Sequence, residues 1–82
     1  MRLLTLAELS SYNGREGSPA YVAYRGFIYD VSASYHFRNG RHWIEHSAGC
    51  DLTEEIAKAP HTDSLLKQFP VIGKLTLESE PD

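Results

Sequence analysis

What this chain lacks narrows it first. It has a single cysteine, Cys50, so no disulfide can form within it. It has no apolar run near the length a membrane-spanning helix needs, and its N-terminus lacks the apolar core and cleavage site of a secretory signal. It has no basic run. A formal charge of −3 with a pI near 5.7 excludes the electrostatic footprint of a nucleic-acid binder. Repeats and linkers are missing too, and no serine or cysteine stands in a pattern with a base that would make it a nucleophile. The expectation is a soluble, cytoplasmic protein that is not an enzyme.

Size adds a constraint. The 82 residues make one domain over 1–82. A domain of this size buries only roughly 60% of the surface its unfolded chain exposes, so it is marginal without a staple. Disulfides cannot supply one here, and a bound cofactor could.

What the chain does have is clustered histidine. The stretch Arg41 to His61, RHWIEHSAGCDLTEEIAKAPH, holds three of its four histidines. His42 and His46 are one helical turn apart and would point from the same face. His61 follows Pro60, where a helix must already have ended and a loop can aim a side chain back. Neutral imidazole is the commonest metal ligand, and a pair converging from two elements can hold iron or zinc. Gly40 and Gly49 bracket a short helix carrying Trp43 and Ile44. Asp51, with Glu54 three residues on, has the spacing of a capping box that opens a second helix ending near Lys58. Two short helices and the His61 loop would form opposite walls of a pocket, and a flat ligand such as haem fits between imidazoles.

The remaining pattern is mixed. Thr5-Leu6-Ala7-Glu8 predicts a capped helix over Leu6 to Tyr12, with Leu6 and Leu9 inward, stopped by Asn13-Gly14. Ala20 to Tyr24 and Phe27 to Val31 read as strands joined by a tight hairpin at Arg25-Gly26. After His61, Thr62 or Asp63 caps a last helix through about Gln68, with Leu65 and Leu66 inward. Val71 to Leu77 is a third strand that would pair with the hairpin, and residues 78–82 are an acidic tail expected to be mobile. The sum is an α+β fold, a small sheet with short helices gathered at one end.

These residues resemble the cytochrome b5-like haem-binding family over Thr5 to Leu77. The resemblance is carried by Thr5-Leu6-x-Glu8-Leu9, Gly26-x-Ile28-Tyr29-Asp30-Val31, Ala48-Gly49-x-Asp51-x-Thr53 and Phe69-Pro70-Val71-Ile72-Gly73-Lys74-Leu75. Short prokaryotic members of haem/steroid-binding type also share the run from Gly40 to Thr53 and Ala59-Pro60-His61. The resemblance implies non-covalent haem gripped by two imidazoles, and it places one ligand on His61. The other does not carry over cleanly, because the His-Pro-Gly-Gly turn that usually holds it is missing here. Three assignments compete: His36 by spacing, His42 in the first turn of the pocket helix, and His46 one turn on. His42 is preferred, with His46 then free to bond a propionate or water and Phe37 filling the space of the missing turn histidine.

Two imidazoles leave iron no open position, which suits one-electron transfer over oxygen chemistry. No Cys-x-x-Cys-His motif is present, so the haem would be b-type. The expected pocket walls are Ile28, Val31, Trp43, Ile44, Leu52, Ile56, Leu65, Leu66 and Phe69, each of which could equally be ordinary core. Glu45, Asp51, Glu54, Glu55 and Asp63 usually would only solvate a surface; near a haem edge they would steer a redox partner with a basic surface. Two alternatives stand beside electron transfer. One is a haem or small-lipid binding module without redox duty, in which Tyr29 or Tyr35 is the iron ligand. The other is a zinc site built from His42, His46 and His61.

Overall fold

A computed structural model describes residues 2–33, 48–58 and 64–76. Its framework is a four-stranded mixed sheet in the order β1-β4-β3-β2. The hairpin at its centre is the one the sequence predicts. β2 (Tyr21–Tyr24) pairs antiparallel with β3 (Phe27–Asp30), with Tyr24 opposite Phe27. Arg25 and Gly26 between them have φ of 52° and 84°, the double left-handed turn that matches strand twist. β4 (Val71–Leu75) joins β3 antiparallel, with a bulge that sets Ile28 against Gly73 but Tyr29 against Val71. It ends two residues short of the expected Leu77, which lies outside the described residues together with the acidic tail.

The fourth strand was not expected. β1 (Arg2–Leu4) pairs parallel with β4 at the sheet edge, Leu4 opposite Leu75. Three residues carry too little pattern to read as a strand, and the partner that defines them lies at the other end of the chain.

Helix α1 (Leu6–Leu9) is shorter than expected. Its capping box is present in full: the Glu8 amide donates to Thr5 Oγ1 at 3.1 Å and the Thr5 amide to Glu8 Oε1 at 2.9 Å. The chain then tightens, since Ser11 and Tyr12 donate to carbonyls three residues back, at Glu8 and Leu9. The Tyr21 amide claims the Tyr12 carbonyl, which turns the chain into the sheet before the helix can reach Tyr12. Leu9 is fully buried, whereas Leu6 faces solvent.

Strand alternation divides the core in two. On one face Leu4, Leu9, Tyr21, Ala23 and Ile28 cluster under α1. On the other, Ala20, Val22, Tyr24, Tyr29 and Val31 cluster with Ala48, Leu52, Ile56 and Leu66. All four residues of β2 are buried because the strand is covered on both sides.

Candidate cofactor site

The second cluster is the region from which the site must be built. Its outer wall is hung on the free edge of β2. The Gly49 amide donates to the Tyr21 carbonyl at 2.7 Å, the Ala23 amide to Cys50 at 3.0 Å, and the Leu52 amide to Ala23 at 2.8 Å. Residues 49–52 therefore run beside β2 in the parallel sense, with a bridge between Ala23 and Asp51. Gly49 makes the approach possible. It sits at φ 86°, and a Cβ there would lie 3.2 Å from the Ser10 carbonyl oxygen.

This edge leads into α2 (Thr53–Ala57), whose Ile56 is fully buried in the cluster. The expected capping box from Asp51 to Glu54 does not form. Asp51 instead accepts from the Thr53 amide at 3.1 Å and the Thr53 hydroxyl at 2.6 Å, and the N-cap position falls on Leu52 without a side-chain bond. An Asx-type turn two residues on outcompetes a cap three residues on, because Thr53 offers both a backbone and a side-chain donor. Thr53 Oγ1 also accepts the Arg25 amide at 2.9 Å, which ties the hairpin turn to the start of α2.

The expected lining residues divide. Val31, Leu52, Ile56 and Leu66 meet in the cluster, and Phe69 packs against it. Leu65 is half-buried beside Leu66 in the helical turn at 64–66. Ile28 does not join them. It is fully buried on the opposite face with Leu4 and Leu9, because it differs in parity from Val31 along one strand and so points the other way. The same parity brings in Tyr29, Val22 and Tyr24, none of which the expected walls included. Counting by twos from Val31 would have found Tyr29, and its register partner Val22 would follow.

Phe37, Trp43 and Ile44 lie outside the described residues, as do His36, His42, His46 and His61, the candidate ligand Tyr35, and the acidic Glu45 and Asp63. Among the described residues no group of His, Cys, Asp or Glu could hold a metal ion. The cluster so far built is mainly apolar, the chemistry that the body of a flat macrocycle needs around it. The donors for its iron would have to come from 34–47 and 59–63. Both segments leave from and return to this one cluster. Val31 stands just before the first and Ala48 just after it; Ile56 precedes the second and Leu66 follows it. The outer surface beside α2 is polar, a groove lined by Arg25, Gly26, Asp51, Thr53, Glu54 and Glu55.

A family model described as "Cytochrome b5-like Heme/Steroid binding domain" matches residues 5–76. The chain belongs to the cytochrome b5-like family. Two solved archaeal members are similar over most of the chain. A cytochrome b5 domain protein of Hadesarchaea is 58% identical with a TM-score of 0.87, covering 93% of this chain and 100% of that one. A cytochrome b5 domain protein of Methanococcoides burtonii is 43% identical with a TM-score of 0.86, covering 93% and 99%. A neuferricin homolog of Drosophila pseudoobscura pseudoobscura is 44% identical over 48% of this chain, which spans only 17% of that protein's length. The mixed sheet with short helices is thus the α+β fold of the cytochrome b5-like family, as the sequence implied. No helix among the described residues is long and apolar enough to cross a membrane.

Proposed function

We propose that this domain binds haem b non-covalently between two histidine imidazoles and passes single electrons to and from a protein partner. The observation that supports it is the tethering just described: both segments that carry histidine begin and end on one apolar cluster. Membership of a haem/steroid-binding family supports the same reading. His61 would supply one axial ligand and His42 the other, with His46 and His36 as competitors for the second place. Held by these histidines, haem would supply one-electron chemistry, and two imidazoles on the iron would leave no position for oxygen.

The chain's own part is to bind, orient and exclude water. Val31, Leu52, Ile56 and Leu66, all buried, form the apolar core behind the site. The backbone ladder from Gly49 to Leu52 and the Thr53 bond to Arg25 fix α2 against the sheet. Glu54 and Glu55 are exposed on α2 and, with Asp51, give the adjoining surface a negative bias suited to a basic partner. No catalytic step is assigned to the domain, and a cytoplasmic location is part of the proposal.

Haemin titration of the purified protein tests this. The expected product is low-spin and six-coordinate in both oxidation states, with haem extractable by acid-acetone. A second reading, small-molecule binding without redox duty, draws on Tyr29, one of its two candidate ligands, which is buried in the cluster wall. A five-coordinate, high-spin product would favour that reading and sink bis-histidine ligation. Absence of haem binding with retention of zinc would instead point to a zinc site.

A further inference from the structure

The domain has four tyrosines in its sheet and first turn, and their hydroxyls fare differently on the two faces. Under α1, Tyr12 and Tyr21 stack with ring centroids 4.6 Å apart. The Arg2 guanidinium lies over both and donates to Tyr12 Oη at 2.9 Å and to Tyr21 Oη at 3.4 Å. Both phenols are satisfied within the protein. On the opposite face, Tyr24 is 2% exposed and Tyr29 9% exposed, and both belong to the apolar cluster of the candidate site. Among the described residues neither hydroxyl has a hydrogen-bond partner. Tyr29 lies opposite Val22, and Tyr24 opposite Phe27, so the two phenols occupy neighbouring strands on one face.

A buried hydroxyl without a partner is costly, so native proteins almost always supply one from the chain, water or a ligand. Phenylalanine would fill either position at no such cost. Two phenols on the site's face without a partner among the described residues, against two satisfied ones on the other, call for an acceptor that the sheet itself does not provide. We propose that Tyr24 and Tyr29 are the polar recognition elements of the site, donating hydrogen bonds to acceptor oxygens of the bound molecule, which for haem are the propionate carboxylates. This rests on the haem reading above. It gives the two tyrosines a binding role distinct from iron ligation, and it explains phenols in a wall whose other side chains are all apolar.

The decisive experiment compares two probes, haemin and haemin dimethyl ester, which differ only in whether the carboxylates are free. Dissociation constants are measured for the wild-type protein, a Tyr24→Phe/Tyr29→Phe double variant, and Tyr12→Phe as a reference from the other face. A hydrogen bond to a charged acceptor is worth about tenfold or more in affinity. Wild type should therefore bind haemin at least about tenfold tighter than the ester, and the double variant should lose that preference. The apo double variant should melt no lower than apo wild type, because it loses only unsatisfied hydroxyls; apo Tyr12→Phe should melt lower, with both affinities unchanged. Equal loss toward both probes, or no loss toward either, overturns the proposal. So does an apo double variant destabilised like Tyr12→Phe, which would mean the hydroxyls are already paired within the chain. A spin-state change in Tyr29→Phe alone would overturn it by making Tyr29 a ligand. Failure of wild type to bind haemin at all is a different result, and it would remove the haem reading on which the proposal stands.

Discussion

Gly49→Ala is the most informative single change in the frame of the site. Two costs add at this position. The backbone holds φ at 86°, where a residue with a Cβ pays about 1–2 kcal/mol relative to glycine. The new methyl would also press on α1, 3.2 Å from the Ser10 carbonyl oxygen and 3.4 Å from both the Leu9 carbonyl oxygen and Asn13 Cβ. These are mostly backbone atoms, so relief must come from moving residue 49 outward. That motion strains its 2.7 Å hydrogen bond to Tyr21, worth about 1 kcal/mol net. The total is roughly 2–4 kcal/mol, against the roughly 4–12 kcal/mol expected for 82 residues. Gly17→Ala separates the parts, because its φ is 84° but nothing lies within 4 Å of its Cβ position. It should cost only the conformational share, about 1–2 kcal/mol. Urea denaturation of the apo forms, read by circular dichroism, should therefore rank wild type above Gly17→Ala and Gly17→Ala above Gly49→Ala. In melting temperature the Gly49 change should be on the order of 10–20 °C. Equal losses for the two variants would show that the contact with α1 contributes nothing.

Three further outcomes are expected. Ile56→Ala removes a fully buried side chain from the cluster and should cost about 2–5 kcal/mol in denaturant titration, with weaker haemin binding; a loss under about 1 kcal/mol would mean α2 is not packed as described. Thr53→Val deletes the acceptor for the Arg25 amide and the hydroxyl bond to Asp51 while keeping shape, and should lower stability by about 1–2 kcal/mol; Thr53→Ser should restore most of it, and failure of that rescue would refute the hydroxyl's role. His61→Ala should abolish six-coordinate haemin binding, and His42→Ala should give five-coordinate or weakly held iron, while His46→Ala and His36→Ala stay six-coordinate by optical and electron paramagnetic resonance spectra. A normal low-spin spectrum for His42→Ala, with high-spin iron in His46→Ala or His36→Ala, would move the second ligand.

Local chemistry was legible in the sequence because it acts over a few residues. The Thr5–Glu8 capping box, the Arg25-Gly26 turn and the apolar runs on either side of it each need only neighbours along the chain, and each is present. The order of the family motifs, spread from Thr5 to Leu75, was sufficient to imply the α+β fold. The sequence also placed four histidines around the stretch between Val31 and Leu66, and that placement carries the haem proposal.

Other features depend on what meets across space. Arg2–Leu4 is a strand only because β4 lies beside it; the sole trace in the sequence is Gly73, where a Cβ would stand 2.7 Å from the Arg2 carbonyl oxygen. Asp51 could cap through Glu54 or turn through Thr53, and the choice fell to Thr53, which also serves Arg25 from a hairpin 28 positions away. Ile28 and Val31 look alike as apolar strand residues, yet strand parity sends them to opposite faces. Which face of the sheet α2 covers depends on the pairing of Gly49 to Leu52 with the edge of β2, which sets Ile56 in one cluster with Val22, Tyr24 and Tyr29. Periodicity along a strand says which residues share a side; only tertiary pairing says what covers that side.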